Sequence, residues 1–100
     1  MENIISNLNK VFESRVRLGI MSILMVNDYM SFNDLKNHLE VTDGNLASHL
    51  NSLEKYKLIE VKKEFIGRKP NTKYYATDKG KIEFNKHLDA LEKLLNNKNK

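Results

Sequence analysis

The sequence predicts a mainly α-helical fold with one small β-hairpin. Three observations predict it. Apolar residues recur at helical spacing over most of the chain, and three of these runs open on a serine or threonine cap, Ser31, Thr42 and Thr77. Two of these helices meet at a tight turn between Glu40 and Thr42. A stretch rich in aromatic and β-branched residues and in lysine follows directly, broken by Gly67-Arg68-Lys69-Pro70-Asn71.

The first segment, about Glu2 to Asn9, carries Ile4, Ile5 and Leu8 on one helical face, and Val11 and Phe12 extend the stripe. Arg15 to Asp28 is predicted as a helix apolar around most of its circumference, which places it in a core. Asn27-Asp28 favours its end. Ser31 caps a short helix with Asp34 in a capping-box position, directing Phe32, Leu35 and Leu39 inward and stopping near Glu40-Val41. Thr42 caps the next helix, which runs to about Tyr56 with Leu46, Leu50 and Leu53 as its buried stripe. Leu58 to Phe65 and Thr72 to Thr77 read as paired strands around the five-residue turn. Thr77-Asp78 caps a final helix whose Phe84, Leu88, Leu91 and Leu95 form a seam flanked by Ile82 and Leu94. The polar tail from Asn96 is expected to fray.

These parts in this order make a winged helix-turn-helix, which sends a helix into the DNA major groove and a cationic loop to the neighbouring backbone or minor groove. The charge agrees. The 100 residues carry a net +4, yet residues 62–81 alone carry +5, from seven Lys/Arg against Glu64 and Asp78. Positive charge gathered in one place is the footprint of a polyanionic partner.

With its leucines inward, the Thr42–Tyr56 helix turns Gly44, Ser48, Asn51, Ser52 and Lys55 outward, with Asn45 and His49 on one flank. Short hydrogen-bonding side chains suit base edges, so Asn45, Ser48, His49 and Ser52 are the expected base readers. Gly44 would let backbone N–H groups approach a phosphate. Lys55, Lys69 and Lys73 are expected on phosphates, and Arg68, in the turn, in the minor groove.

One domain of residues 1–100 is expected. Its terminal segments, 1–12 and 78–96, carry Ile4, Ile5, Leu8, Phe12, Phe84, Leu88, Leu91 and Leu95, which need burial. Two copies sharing these stripes would form a homodimer presenting two recognition helices to successive grooves.

Other chemistries find little support. There is no cysteine, so no disulfide or thiolate metal site, which suits a reducing cytoplasm. His38, His49 and His87 lack ligand spacing, and no nucleophile motif or phosphate-binding glycine loop is present. No catalytic residue, metal or cofactor is expected. Met1-Glu2-Asn3-Ile4-Ile5 does not read as a signal peptide, and the apolar run Leu18 to Val26 is about half a bilayer crossing.

Leu18–Leu24, Ser31–Lys36, Thr42–Glu54 and Gly67–Gly80, taken together, resemble the small winged-helix transcriptional regulators, short bacterial and archaeal relatives of the MarR and ArsR groups. The resemblance covers about residues 11–95 and implies a homodimeric DNA-binding regulator with recognition helix Thr42–Tyr56 and wing Ile66–Lys73. Two departures bear on function. The cysteine metal box of the ArsR type is absent, and Gly67-Arg68-Lys69 replaces the Asp-x-Arg of many MarR wings. A third is structural. Lys57 stands where the family usually has a left-handed glycine, a strain of about 1 kcal/mol unless the helix ends another way. The alternatives to a sequence-specific regulator are a winged helix that binds protein and a non-specific architectural DNA binder. The sequence indicates no effector ligand, operator or direction of regulation.

Overall fold

A hydroxyl at a helix start satisfies an otherwise unpaired backbone N–H, and in the computed structural model, which describes residues 5–96, all four α-helices of the described residues open this way. Helix α1 (Arg15–Met25) is capped by Ser14, α2 (Phe32–Leu39) by Ser31, α3 (Asp43–Lys55) by Thr42 and α4 (Asp78–Leu95) by Thr77. Strand β1 (Met30–Ser31) precedes α2, while β2 (Ile59–Ile66) and β3 (Lys69–Ala76) lie between α3 and α4. The three strands form an antiparallel sheet in the order β1-β3-β2.

The core sits between this sheet and the helices. It joins Ile20, Met21 and Leu24 of α1, Leu35 of α2, the predicted Leu46, Leu50 and Leu53 of α3, and Leu58, Ile59 and Phe84. Phe12 closes one end.

Several elements depart from expectation. The N-terminal helix over Glu2 to Asn9 does not form within the described residues. Residues 5–7 are a turn, and helical geometry begins only in a 3-10 turn, Lys10–Glu13. The reason is Asn9, whose extended backbone breaks the helix and whose Oδ1 accepts from the Val11 N–H at 3.0 Å. Helix α1 stops three residues early because the Ile23 carbonyl is taken by the Val26 N–H and by Asn27 Nδ2, at 2.8 Å from the latter. Strand β1, unpredicted, is two residues paired to Tyr74 and Lys73.

The hairpin turn contracts to Gly67-Arg68. Gly67 has φ of 66° while Arg68 stays outside the positive region, the pattern of a type II′ turn. Lys69, Pro70 and Asn71 are therefore strand and not turn. Pro70 is tolerated because β1 pairs only as far as Lys73, leaving that edge of β3 open where proline lacks a donor.

Lys57 does adopt the left-handed conformation, with φ of 62°. The Leu58 N–H returns to the Leu53 carbonyl and the Lys57 N–H to that of Glu54, a Schellman ending sealed by the buried pair Leu53 and Leu58. Lys57→Gly is expected to stabilise the fold by about 0.5–1 kcal/mol, since the strain relieved exceeds the entropy glycine adds to the unfolded chain. An unchanged or lowered urea midpoint would show that the strain is not there.

Candidate nucleic-acid interface

Helix α3 is held rigidly before it presents anything. Its leucines are buried, Thr42 and the Schellman turn fix its ends, and Lys36 of α2 bridges Asp43 at 2.8 Å across the turn. Gly44, Asn45, Ser48, Asn51 and Lys55 are exposed along one side. A Cβ added at Gly44 would meet nothing within 4 Å, so no intrachain packing demands glycine there.

The four expected base readers do not stand together. Asn45 and Ser48 face solvent. His49 and Ser52 are half-buried on the flank nearest the 3-10 turn. Ser52 Oγ donates to the Ser48 carbonyl at 3.2 Å, and the residue lines a cleft with Lys10, Val11, Arg17 and Tyr56. The His49 ring lies 3.1 Å from the Arg17 guanidinium. Burial first, and then the Arg17 charge, hold its pKa below the ordinary 6.5.

Register decides which lysines of the wing share a side with α3. Ile59, Val61, Lys63 and Phe65 alternate with Glu60, Lys62, Glu64 and Ile66, opposite Ala76, Tyr74, Thr72 and Pro70 on the first face. Helix α3 packs on that first face, where Asn51 and Glu54 line a groove with Val61, Lys63 and Tyr74. Lys73 belongs to the other face. Its Nζ pairs with Glu64 at 2.9 Å, holding that carboxyl below its usual range, and lies 4.5 Å from the centre of the Tyr29 ring. Lys73, expected on a phosphate, thus stands ion-paired on the face away from α3. Lys63, which sequence reasoning counted only as local charge, stands beside α3. Arg68 is exposed at the hairpin turn and Lys69 follows it, exposed, at the start of β3.

The terminal stripes also divide. Phe12 and Phe84 are each 2% exposed and meet edge to face at 5.1 Å within the chain, so both are core and not interface. Leu8 and Leu91 are half-buried. Ile5, Leu88 and Leu95 are exposed, and Ile4 lies outside the described residues. His87, without ligand spacing in the sequence, has a structural place: it is buried on α4, where burial lowers its pKa and Nδ1 accepts from the Asn9 N–H at 3.0 Å. Among the described residues no cluster of three His, Cys, Asp or Glu could hold a metal, and no helix is long and apolar enough to cross a membrane.

Comparison with known proteins bears on the fold. Residues 16–95 match the family model described as a winged helix DNA-binding domain. An uncharacterized protein of Methanocaldococcus jannaschii is 38% identical over 88 residues, covering 88% of this chain and 96% of that protein. The structure of a transcriptional regulator homologue protein from Pyrococcus horikoshii OT3 is similar with a TM-score of 0.83 at 31% identity, covering 94% of this chain and 91% of that one. PadR of Bacillus subtilis, solved in complex with operator DNA, shares the fold with a TM-score of 0.67 at 18% identity, over 75% of this chain and 48% of its own.

Proposed function

The chain belongs to the winged helix DNA-binding domain family, a DNA-binding transcription regulator by family and fold, and we propose that it recognises a specific double-stranded sequence as a homodimer. One observation carries this reading. The exposed row Gly44, Asn45, Ser48 and Asn51 is continuous, through the groove at Lys63, with the face of a hairpin that ends in Arg68. Small donors and acceptors bordered by cations match base edges bordered by phosphates.

In this reading Asn45 and Ser48 read bases from the major groove, and His49 and Ser52 contribute from the flank. Lys55, Lys63 and Lys69 hold phosphates, and Arg68 enters the minor groove. The open space at Gly44 lets the backbone approach a phosphate. Residues 1–100 act as one domain, and exposed Leu88 and Leu95 of α4 supply the apolar part of a two-fold interface. The protein works in the cytoplasm, without catalysis or a bound cofactor.

The test is binding to the DNA upstream of its own gene, beside a scrambled duplex of equal composition, at near-physiological salt. A preference of about a thousandfold supports sequence-specific regulation. Equal, salt-sensitive binding makes the protein architectural, and no binding to either moves the reading to a protein partner. Within the same assay, Arg68→Ala is expected to weaken binding and reduce the log–log salt slope by about 0.9, one phosphate-type contact. An unchanged affinity and slope would remove the wing from the interface. Ser48→Ala or Asn45→Ala should relax preference at one base step. Equal loss on all sequences would assign these side chains to the backbone.

A further inference from the structure

Arg17 leaves α1 between the 3-10 turn and the recognition helix. Its Nε donates to the Val11 carbonyl at 2.7 Å, and its Nη1 lies 3.1 Å from His49 Nδ1. A guanidinium has five donors and no acceptor. The second contact is therefore a hydrogen bond only if His49 Nδ1 is bare, which puts the proton of the neutral ring on Nε2. An unrestrained histidine on a helix surface samples both tautomers and offers DNA a donor or an acceptor. This one offers only a donor.

The arrangement extends further. The Val11 N–H donates to Asn9 Oδ1 at 3.0 Å, and the Asn9 N–H donates to His87 Nδ1 at 3.0 Å. Hydrogen bonds and the short intervening backbone thus connect α4, the 3-10 turn, α1 and α3. Nothing local in the sequence marks the link, since Arg17 and His49 stand 32 residues apart.

We propose that Arg17 is a positioning residue for DNA recognition, holding His49 as an Nε2–H donor so that the recognition helix accepts hydrogen-bond acceptors on DNA at that point and rejects donors. The proposal rests on the reading of α3 as the DNA-facing helix. The acceptor is a purine N7, guanine O6, thymine O4 or a phosphate oxygen. A base presenting an amino group there, adenine N6 or cytosine N4, would meet a second donor. Arg17 is the charged group against the ring; Lys10 and Glu13 of the 3-10 turn, with Tyr56 just after α3, border the cleft beside it. Burial first, and then Arg17, lower the ring's pKa and so favour its neutral form.

Two measurements test this. The first is the ring ¹⁵N spectrum of His49 in the free protein. The parent should show a bare Nδ1 and a protonated Nε2. Arg17→Met should mix the tautomers and let the ring titrate nearer 6.5, while Arg17→Lys, which keeps a donor, should restore much of the parent pattern. A parent with protonated Nδ1, or an Arg17→Met variant that keeps the parent pattern, overturns the proposal.

The second is affinity for a duplex selected from a random pool by the parent protein. His49→Ala and Arg17→Met should each weaken binding about three- to tenfold, the worth of one hydrogen bond. In the His49→Ala background Arg17→Met should add nothing, and the salt slope should not move. A slope lower by about 0.9 for Arg17→Met would make Arg17 a phosphate contact and sink the positioning role. Loss on 7-deazaguanine or 7-deazaadenine substitution, absent in His49→Ala, identifies a base acceptor, and the same behaviour with a neutral methylphosphonate identifies the backbone. If His49→Ala binds as the parent does while Ser48→Ala and Arg68→Ala bind worse, this proposal falls and the DNA-facing reading survives. If none of the variants changes binding, that reading falls with it.

Discussion

Gly80→Ala is expected to destabilise the fold by about 3 kcal/mol or more, although alanine is the better helix former by about 1 kcal/mol. Gly80 lies in the first turn of α4. A Cβ there would stand 2.0 Å from the Leu58 carbonyl oxygen and 2.9 Å from its carbon. Both are backbone atoms, so no rotamer change relieves the overlap. Nor can the two segments separate easily. The Thr77 N–H donates to that same Leu58 oxygen at 3.1 Å, Thr77 Oγ1 donates to the Lys57 carbonyl at 2.7 Å, and the Gly80 N–H donates to Thr77 Oγ1 at 2.9 Å. The start of α4 is thereby fastened to the corner where α3 becomes β2. Pushing it away disturbs the Schellman ending of the recognition helix, so DNA affinity should fall together with the urea midpoint. A variant of parental stability would mean the contact relaxes at little expense.

That glycine also shows what kind of information the chain displays openly. Thr77-Asp78-Lys79-Gly80 was recognisable as a motif, and Thr77 as a cap, because capping is settled within four residues. Why position 80 must be glycine depends on Leu58, which is distant in sequence. The same division runs through the whole fold. Ser31, Thr42 and Thr77 and the three-leucine stripe of α3 were legible, being local patterns with a fixed period. Strand β1 was not, since two residues have no period and exist as a strand only through Tyr74 and Lys73.

At the candidate interface the division falls between composition and register. Concentrated positive charge located the wing, but the side on which each lysine stands depends on the turn. A five-residue turn leaves Lys63 and Lys73 unassigned. The two-residue Gly67-Arg68 turn pairs Ile66 with Lys69, Lys63 with Thr72 and Lys62 with Lys73, which sends Lys63 toward α3 and Lys73 away. A glycine followed by one residue between two strand-like runs is itself a type II′ signal, so this part was available in the sequence. The engagement of His49 by Arg17 was not. Neither residue is unusual in its own neighbourhood, and only the packing of α1 against α3 joins them.

Phe12→Ala is expected to lower stability by about 3–5 kcal/mol, and by the same amount at every protein concentration. The second clause is the informative one. An apolar stripe in a terminal segment must be buried, yet nothing in the stripe states whether its cover comes from the same chain or from a second copy. The structure resolves this position by position. Phe12 meets Phe84 at 5.1 Å and the His87 ring at 5.3 Å, all from one chain, so truncation leaves a cavity that dimerisation cannot refill. Leu95 is 86% exposed and Leu88 42% exposed on the same helix, with room for a partner. Leu95→Asp should therefore do the reverse. It should leave the unfolding midpoint of dilute protein nearly unchanged, abolish any rise of that midpoint with concentration, and yield a monomer in sedimentation. If Phe12→Ala loses its effect as concentration rises, the aromatic cluster is completed by a second copy. If Leu95→Asp sediments as the parent does, the two-fold contact lies elsewhere than this seam.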